Sequence, residues 1–588
     1  MKKLVSLFID GKRIEVEENT TILEAAKRIN IDIPHLCYDE NLSIWGGCRV
    51  CVVEVEGRKD LVASCSTFVE DKMVIRTNTK RVKEAREVIL ELLLTRCQED
   101  CRFCQKSEKC KLKELAYKLG IKKIRFEKRK ERYPKEVNIS FIRDPKRCIL
   151  CGKCIRVCHQ IQAVGVIDFV FRGEKTKVST FFNKRLDNLE CTSCGQCILV
   201  CPTGALSEKE EVDFVWEAIF NPKKFVIVEV APAVRVSLGE EFDLGGGTLV
   251  TKKLPSVLRR LGFDRVFDTQ FAADLTIVEE ASELIERIKK GKRLPLITSC
   301  SPAWVKYLEH FFPHLRDYLS TCKSPQQMFG AIAKTYYAQK IKIHPKNIIV
   351  VSVMPCVAKK FEARRKEMVS SFLWWKNKLN LKEEDKFFDV DFVLTTRELA
   401  KMVKERGIDF VNLEEEEFDS PLGISTGAAV IFGVTGGVME AALRTAYEVV
   451  TGKTLEKLEF EIVRGMRGIK KAEINLNGMN LKVAVAHGLS WAKVLLEEVK
   501  EGKSPYHFIE VMACPGGCLG GGGQPIPTNL EIRKKRAQSL YKEDKNKPIR
   551  KSHQNPAIIA LYKEFLKSPL SKKAHMLLHT SYVERGRY

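Results

Sequence analysis

Cysteine spacing constrains this 588-residue chain more than any other feature. Eight of its 21 cysteines form two copies of one motif, in which gaps of two, two and three residues separate four cysteines. The copies are Cys148-x2-Cys151-x2-Cys154-x3-Cys158 and Cys191-x2-Cys194-x2-Cys197-x3-Cys201. Disulfide networks are typical of short secreted chains, whereas tight groups in a long chain suit several thiolates around one metal centre. The pattern therefore predicts iron–sulfur clusters, with disulfides as the weaker alternative.

The repeated motif, with Pro202 directly after its last cysteine, resembles the two-cluster bacterial ferredoxin. In that family the fourth cysteine of each motif ligates the other cluster. The resemblance implies a domain over residues 138–212 that holds two 4Fe-4S clusters. One cluster would be held by Cys148, Cys151, Cys154 and Cys201, and the other by Cys158, Cys191, Cys194 and Cys197.

The amino-terminal residues predict a small sheet and a helix before a cysteine loop. Residues 3–9 and 12–17 are strand-like runs joined by Asp10-Gly11, a two-residue hairpin signal, and Thr21 to Glu24 has capping-box spacing. This order resembles the ubiquitin-like, plant-type ferredoxin, as found in hydrogenases and in the large cluster subunit of respiratory NADH dehydrogenases. It implies a domain over residues 1–79 with one 2Fe-2S cluster on Cys37, Cys48, Cys51 and Cys65.

Residues 80–95 have apolar side chains at helical spacing and lead to another cysteine group. In the same two families one histidine and three cysteines bind a 4Fe-4S cluster here, which implies a cluster domain over residues 80–130. Its ligands would be Cys97, Cys101, Cys104 and Cys110, with Cys97 in place of the histidine. Because an anionic thiolate disfavours reduction relative to a neutral imidazole, we expect a lower potential than is usual in the family. Alternatively, Cys97 is only a buried apolar residue.

From residue 220 onward, short apolar strands alternate with helical stretches, which predicts an α/β domain that extends to residue 588. Three strand-like runs end at cysteines: Cys300, Cys356, and Cys514 followed by Cys518. Ligands bind at the carboxyl ends of strands in open α/β sheets. We therefore expect these loops to converge on one metal site.

The three loops resemble the signature loops of FeFe hydrogenases. MPCVAKKFE from Met354 and EVMACPGGCLGGGGQP from Glu510 agree with the second and third loops, and Ala231-Pro232, SPQQ from Ser324 and IFGVTGG around Phe432 extend the resemblance. It covers nearly the whole chain, which would be a multidomain protein with α+β cluster domains and an α/β catalytic domain. Residues 370–388 fall outside it and are expected to form a solvated pair of surface helices.

The resemblance implies an H-cluster, in which a 4Fe-4S cubane is bridged to a diiron unit with CO, cyanide and dithiolate ligands. Cys356, Cys514 and Cys518 would ligate the cubane, Cys518 would be the bridge, and Lys359 would hydrogen-bond a cyanide. The residues implied around the diiron unit are Ala231, Pro232, Gln326, Met354, Phe432 and Met512. Those implied in proton delivery are Cys300, Glu280, Glu283 and Ser320.

The first loop departs from the family pattern of two adjacent cysteines, of which the first transfers protons and the second ligates the cubane. Here Cys300 is followed by Ser301. By position, the proton-transfer thiol remains and the metal ligand becomes a serine, which is a harder and less acidic ligand. Alternatively Cys300 ligates the cubane and Ser301 or a water carries the proton, which is the slightly favoured arrangement. Cys322, outside all these groups, is interpreted as a buried thiol.

The predicted activity is the reversible reduction of protons to dihydrogen, with electrons relayed through the accessory clusters to or from ferredoxin. One alternative is the catalytic subunit of a multimeric hydrogenase that passes electrons to flavin- and NAD(P)-binding partner subunits. A second alternative is a non-catalytic, hydrogenase-like sensor or iron–sulfur assembly protein. Maturation proteins that supply the diiron unit are expected as further partners.

Charge and hydropathy narrow the list of partners. The formal net charge is +24, yet no nucleic-acid-binding motif is present, and cluster thiolates would lower this charge. The basic stretches 533–536 and 542–551 suit an acidic electron carrier, although such runs are more often solvated surface. No secretion signal and no apolar run of membrane-spanning length is recognised, so we expect a cytoplasmic protein without a membrane span.

Overall fold

The computed structural model describes residues 3–97, 101, 104, 109–128, 134–455, 458–476 and 479–586. The chain begins with β1 (Leu4–Ile9), β2 (Lys12–Glu17), α1 (Ile22–Arg28), β3 (Val52–Val55), β4 (Val62–Ala63) and β5 (Val74–Arg76). These strands form one sheet in the order β2-β1-β5-β3-β4. The predicted hairpin is confirmed, with positive φ at both Asp10 and Gly11, and so is the capping box between Thr21 and Glu24.

The next region contains two helices and then the cysteine repeat. Its elements are α2 (Lys80–Arg96), α3 (Lys111–Lys118), β6 (Glu136–Val137), β7 (Phe141–Arg143), α4 (Lys153–Arg156), β8 (Ile167–Val170), β9 (Lys177–Thr180), α5 (Gln196–Val200) and β10 (Leu206–Glu208). Short helices α4 and α5 each follow a left-handed glycine, Gly152 or Gly195, within a CxxC step. The sequence repeat is therefore also a structural repeat.

The carboxy-terminal domain contains two four-stranded sheets. Its strands are β11 (Phe225–Val230), β12 (Arg265–Asp268), β13 (Leu296–Ile297), β14 (Ile348–Met354), β15 (Phe392–Thr395), β16 (Ile469–Leu476), β17 (Met479–His487) and β18 (Phe508–Met512). The first sheet, β12-β11-β14-β15, is parallel throughout, and the second, β13-β18-β17-β16, is parallel except for the pair β16-β17. The run FVIVEV of β11 is almost wholly buried, as expected of a parallel strand that is covered on both faces.

Helices cover both sheets. They are α6 (Val212–Phe220), α7 (Lys253–Leu261), α8 (Thr269–Lys290), α9 (Pro302–Phe311), α10 (Pro325–Ile332), α11 (Ala338–Ile341), α12 (Ala358–Glu362), α13 (Ser370–Lys376), α14 (Thr396–Glu405), α15 (Gly427–Val430), α16 (Gly437–Thr451), α17 (Leu489–Lys500), α18 (Leu530–Asn546), α19 (Pro556–Leu561) and α20 (Lys572–Leu578). The long helix α8 is capped at its amino end by Asp268, whose side chain accepts a hydrogen bond from the Gln270 amide, and at its carboxyl end by left-handed Gly291. Within the described residues, no helix has the length and apolarity needed to cross a membrane.

Residues 370–388 differ from the prediction of a solvated helix pair, which is wrong. The segment has one helix, α13, and a 3-10 turn at Glu383–Asp385. The hydroxyls of Ser370 and Ser371 donate to the buried Asp389 carboxylate, which also pairs with Lys323 at 2.9 Å. These buried polar contacts fix the segment against the domain, because an unpaired buried carboxylate would be costly.

Candidate active site and its electron relay

The eight cysteines of the repeat line two separate cavities. One cavity, of about 60 Å³ available to the centres of water molecules, is lined by Cys148, Cys151, Cys154 and Cys201. The other, of about 30 Å³ on the same measure, is lined by Cys158, Cys191, Cys194 and Cys197. The structure thus sorts the thiols into the two sets that the ferredoxin resemblance implies. Four thiols per cavity are a donor set that suits a 4Fe-4S cluster.

The four cysteines of the amino-terminal domain also meet. Cys37, Cys48, Cys51 and Cys65 are all buried. The Cys37 thiol interacts with those of Cys48 and Cys65, and the Cys51 thiol interacts with that of Cys65. The loop between them turns at Gly46, which has a φ of 66°. The arrangement fits a 2Fe-2S cluster by donor set and by proximity.

The third cysteine group lies partly outside the described residues. Cys97 ends α2 and Cys110 precedes α3, and both pack into one apolar cluster with Leu90 and Leu112. Burial raises the pKa of the Cys110 thiol, and the nearby thiols of Cys104 and Cys101 add to this effect. Three of the four expected ligands thus interact, and Cys97 lies at the edge of the same cluster.

The catalytic-domain cysteines converge on a single cavity of about 80 Å³, measured in the same way. Its lining includes the thiols of Cys300, Cys356, Cys514 and Cys518. It also includes every residue expected around the diiron unit: Ala231, Pro232, Gln326, Met354, Phe432 and Met512, together with Lys359. The loops arrive from two sheets rather than one, since Cys300 and Cys514 follow β13 and β18 whereas Cys356 follows β14. The cavity therefore lies where the carboxyl ends of the two sheets meet.

Glycines allow the third loop to pack against the cavity and the relay. A Cβ atom at Gly521 would lie 2.1 Å from the carbonyl oxygen of Pro355, and one at Gly522 would lie 2.5 Å from that of Cys194. The Gln196 amide donates to the Gly520 carbonyl at 2.8 Å. The loop that carries Cys518 thus contacts the second cavity of the repeat directly.

Two polar side chains point into an otherwise apolar cavity wall. The Lys359 ammonium donates to Glu362 at 2.8 Å and to the Cys300 carbonyl at 3.2 Å. Burial alone would lower the pKa of Lys359, but the Glu362 carboxylate reverses the effect and raises it. The Gln326 carbonyl oxygen is buried without a hydrogen-bond partner among the described residues. A cationic donor and an unsatisfied amide beside four thiols fit a metal cluster with small polar ligands.

Glu280 and Glu283 lie on α8 and are buried rather than solvated. Burial raises the pKa of Glu280 to about 8. The Ser320 hydroxyl interacts with Glu280 and donates to Glu283 at 3.0 Å. Burial, followed by the Glu280 charge, raises the pKa of the Cys300 thiol. Cys300, Glu280, Ser320 and Glu283 therefore form a contiguous row of ionisable or hydroxyl groups from the cavity outward.

Other functional groups were not recognised in the sequence. Glu510 is buried, accepts hydrogen bonds from the amides of Gly436 and Met439, and has a pKa raised by burial to about 7. Glu510 could have been recognised from the sequence, because it is the first residue of the third signature loop. No periodicity or motif indicated that Cys322 and His579 would lie beside Glu283.

The basic carboxy-terminal stretches are partly buried: Arg533, Arg536 and Lys551 are buried, whereas Lys534, Lys535, Lys542 and Lys545 are exposed. Arg536 is fully buried and pairs with Glu240 at 2.6 Å, and Lys551 is buried against Glu448. Arg550 pairs with Asp544 at 2.8 Å. Arg536 and Lys551 are therefore unavailable to contact an electron carrier, and the binding of a carrier by the exposed lysines stays a prediction.

Five family models match the chain. The model for the iron only hydrogenase large subunit, C-terminal domain, matches residues 224–522, and the iron hydrogenase small subunit matches 530–585. Ahead of them, the 2Fe-2S iron-sulfur cluster binding domain matches 2–80 and the 4Fe-4S dicluster domain matches 147–205. Residues 86–125 match the NADH-ubiquinone oxidoreductase-G iron-sulfur binding region.

Full-length relatives agree with these matches. The chain is 52% identical to the NADP-reducing hydrogenase subunit HndD of Solidesulfovibrio fructosivorans, over 99% of this chain and 100% of the relative. It is 42% identical to iron hydrogenase 1 of Clostridium pasteurianum, over 98% of this chain and 99% of the relative. A structure of a variant of apo [FeFe]-hydrogenase HydA1 from Chlamydomonas reinhardtii aligns with a TM-score of 0.56 and 43% identity, covering 64% of this chain and 100% of that one.

The chain therefore belongs to the iron-only (FeFe) hydrogenase family. It is an iron hydrogenase, an oxidoreductase that interconverts dihydrogen with protons and electrons, and it carries 2Fe-2S and 4Fe-4S domains ahead of its catalytic domain. The predicted family and activity are confirmed, and the non-catalytic alternative is not retained.

Proposed function

We propose that the cavity between the two sheets holds the H-cluster, with Cys356, Cys514 and Cys518 as ligands of its cubane and Cys518 as the bridge to the diiron unit. The observation that carries this proposal is the meeting of four buried thiols with Lys359 and with the unpaired carbonyl of Gln326. When bound, the cluster supplies the redox chemistry that interconverts dihydrogen with protons and electrons.

The residues of the chain orient the cluster and keep the site dry. The Lys359 ammonium has two of its three donors engaged, by Glu362 and by the Cys300 carbonyl, which leaves one for a cyanide ligand. The Gln326 side chain lines the same cavity and would lie near the diatomic ligands. The side chains of Met354, Met512 and Phe432 line the same cavity and exclude water, which strengthens every electrostatic contact within it.

Infrared spectroscopy of the matured protein tests the assignment of this cavity. Bands from CO and cyanide should appear together with dihydrogen evolution from reduced viologen. In the variant Lys359→Met the cyanide bands should shift, because the ammonium donor is lost while the thiol ligands remain. A matured sample without these bands, or a Lys359→Met spectrum identical to the parent, contradicts the assignment.

We propose that Cys300 transfers protons and that Ser301 occupies the fourth ligand position of the cubane. The Cys300 thiol has Glu280 as its strongest charged neighbour, which supports a role in proton transfer. The Ser301 hydroxyl accepts a hydrogen bond from the Ala513 amide at 3.4 Å, next to the ligand Cys514. These contacts favour Cys300 as the proton-transfer thiol and Ser301 as the cubane ligand, over direct ligation of the cubane by Cys300.

Two alanine variants separate these roles. Cys300→Ala should retain the CO and cyanide bands but lose turnover, because the ligand set is intact and the proton path is broken. Ser301→Ala should alter the electron paramagnetic resonance (EPR) signal of the cubane. Loss of the infrared bands in Cys300→Ala, with a normal cubane in Ser301→Ala, would reverse the assignment.

We propose that the front domains hold four accessory clusters, one 2Fe-2S and three 4Fe-4S, which relay electrons to the catalytic cavity. The contact of Gly522 with Cys194 supports the second cavity of the repeat as the last relay site. Cys97, Cys101, Cys104 and Cys110 would hold the third 4Fe-4S cluster. An iron count and redox-titrated EPR spectra of the matured protein test the number and type of clusters.

We propose that the relay ends on partner subunits that reduce NAD(P), rather than on free ferredoxin. The relative named as a subunit of an NADP-reducing hydrogenase aligns with nearly all of this chain at 52% identity, compared with 42% for iron hydrogenase 1. Affinity purification of the tagged chain from its own host should recover a flavin-containing subunit and dihydrogen-dependent reduction of NAD(P). Recovery of the chain alone, with rapid reduction of ferredoxin, would favour the ferredoxin-linked alternative.

A further inference from the structure

The outer end of the Glu280–Ser320–Glu283 row is held by an arginine that cannot carry a proton. Arg287 donates to Glu283 at 2.6 Å and also to the carbonyl oxygens of Leu319 and Tyr318. A guanidinium is always protonated in proteins and has no acceptor atom. Arg287 can therefore hold the Glu283 carboxylate in place, but it cannot accept a proton from it.

A histidine from the carboxy-terminal segment lies beside the same carboxylate. His579 and Cys322 form a β-bridge, which the Thr580 amide extends by donating to the Thr321 carbonyl at 2.8 Å. Ligand atoms of Glu283, Cys322 and His579 all lie within 4.8 Å of one another. One water can bridge such a gap. The backbone pairing thus fixes an imidazole within proton-transfer range of Glu283.

The surroundings of His579 suit a group that gains and loses a proton. Its Nδ1 lies 2.7 Å from the Thr321 hydroxyl, and its Nε2 lies 3.1 Å from the Glu279 carboxylate, which can stabilise an imidazolium. The titratable groups that face it are Glu279 and Glu283 from α8, Cys322, Tyr562, and His575 from α20. Both imidazole nitrogens of His579 therefore have a hydrogen-bond partner, and one of these partners is a carboxylate.

The route continues to solvent through a second histidine. The ring of His575 lies 4.2 Å from that of His579, measured between centroids. His575 is exposed, whereas Glu283 and His579 are buried. Glu283, Cys322 and His579 could in principle bind a metal ion, but Glu283 is paired with Arg287 and His579 with Glu279 and Thr321. These hydrogen bonds join His579 to Thr321 and Glu279, and Glu283 to Arg287, so a proton step between His579 and Glu283 requires a bridging water.

We propose that His579 is a proton-transfer residue that connects Glu283 to solvent at His575. In proton uptake, His575 or water protonates the His579 imidazole, the imidazolium passes a proton to the Glu283 carboxylate, and the imidazole is regenerated; no electron moves. This proposal rests on the proposed role of Glu283 in proton delivery. The carboxy-terminal segment would then take part in proton transfer as well as in packing.

The test compares His579→Gln with His553→Gln, a matched control whose ring pairs at 2.9 Å with Glu448 on α16 rather than with a carboxylate of α8. His579→Gln should lower dihydrogen evolution from reduced viologen by about fivefold and change its pH profile, because Glu283 retains only slower exchange with solvent. The infrared bands should be unchanged. Imidazole added to His579→Ala should restore part of the rate.

The proposal fails if His579→Gln has the same rate and pH profile as His553→Gln, or if imidazole does not restore activity to His579→Ala. It also fails if the double variant His579→Gln/Glu283→Gln loses activity by the product of the two single losses. On one route the double variant should be no slower than Glu283→Gln alone. If His579 variants do not mature, Glu279→Gln should reproduce the slower rate, and an unchanged rate there is equally contradictory. A normal rate in Glu283→Gln instead refutes the proposed role of Glu283 itself.

Discussion

The second relay cavity and the catalytic cavity are neighbours with the same donor atoms and different surroundings. Each is lined by four cysteines, and a glycine contact joins them. The described lining of neither cavity contains an aspartate, glutamate or histidine, and the relay cavity has Arg143 and Gln162 in its lining. The catalytic cavity has Lys359, Gln326 and a thiol that leads to Glu280. The two cavities thus differ in what lies behind the thiols: Cys300 of the catalytic cavity has the buried carboxyl of Glu280 as a neighbour, which proton transfer requires.

The difference also appears in how far apart the contributing residues lie in sequence. The relay cysteines come from two motifs within residues 148–201, whereas the catalytic cysteines span residues 300–518 and reach the cavity from two sheets. Burying Lys359 and Glu280 is costly, and partners offset the cost: Glu362 on the same helix for Lys359, and Ser320 from a distant segment for Glu280. Proton transfer therefore depends on contacts across the whole catalytic domain, whereas the binding of a relay cluster depends on two neighbouring sequence motifs.

Of the variants that test this comparison of the two cavities, Cys518→Ala should have the largest effect. We expect loss of dihydrogen evolution by at least about 10³-fold, corresponding to ~4 kcal/mol of transition-state stabilisation, and loss of the CO and cyanide bands. The EPR signals of the accessory clusters should persist, because their ligands lie in separate cavities. Infrared bands of normal intensity in this variant would show that Cys518 does not bind the cluster.

The next largest effect is expected for Glu280→Gln, which removes the ionisable group from the proton path and keeps its shape. Turnover should fall by about 10²- to 10⁴-fold while the infrared bands remain. Glu286→Gln on the same helix is the control, since Glu286 is exposed and pairs with Lys290. If the two variants are equally active, the buried carboxyl has no part in proton delivery.

A smaller effect is expected for Cys194→Ala, which alters only the relay side of the comparison. One 4Fe-4S EPR signal should be lost and viologen-coupled turnover should fall by about tenfold, or ~1.4 kcal/mol, because electrons lose their last site before the catalytic cavity. The CO and cyanide bands should be retained. Loss of those bands would mean that the two cavities are not separable.

The smallest effect on turnover is expected for Cys97→His, which restores the ligand usual in the family. The midpoint potential of that cluster should rise by on the order of 100 mV, because a neutral imidazole replaces an anionic thiolate. Redox-titrated EPR measures the shift. An identical potential in both proteins would indicate that Cys97 is not a ligand.

Local features were predictable because the interactions that form them are local. The hairpin at Asp10-Gly11 and the capping box at Thr21 each involve a few consecutive residues, and both are present. Long-range burial was not predictable. Glu280, Arg536 and the segment around Ser370 have the composition of solvated surface, and only their partners on distant elements make them buried.

The sequence alone determined that this chain carries cluster-binding cysteine groups and the signature loops of an iron hydrogenase, because ligand spacing and loop composition are properties of consecutive residues. The tertiary structure decided which thiols share a cavity with Lys359 and Gln326, and that Glu280, Glu283 and His579 lie in one buried row. The physical reason is that a pKa and a proton route depend on burial and on partners from other elements. Neither can be read from the periodicity of a single helix.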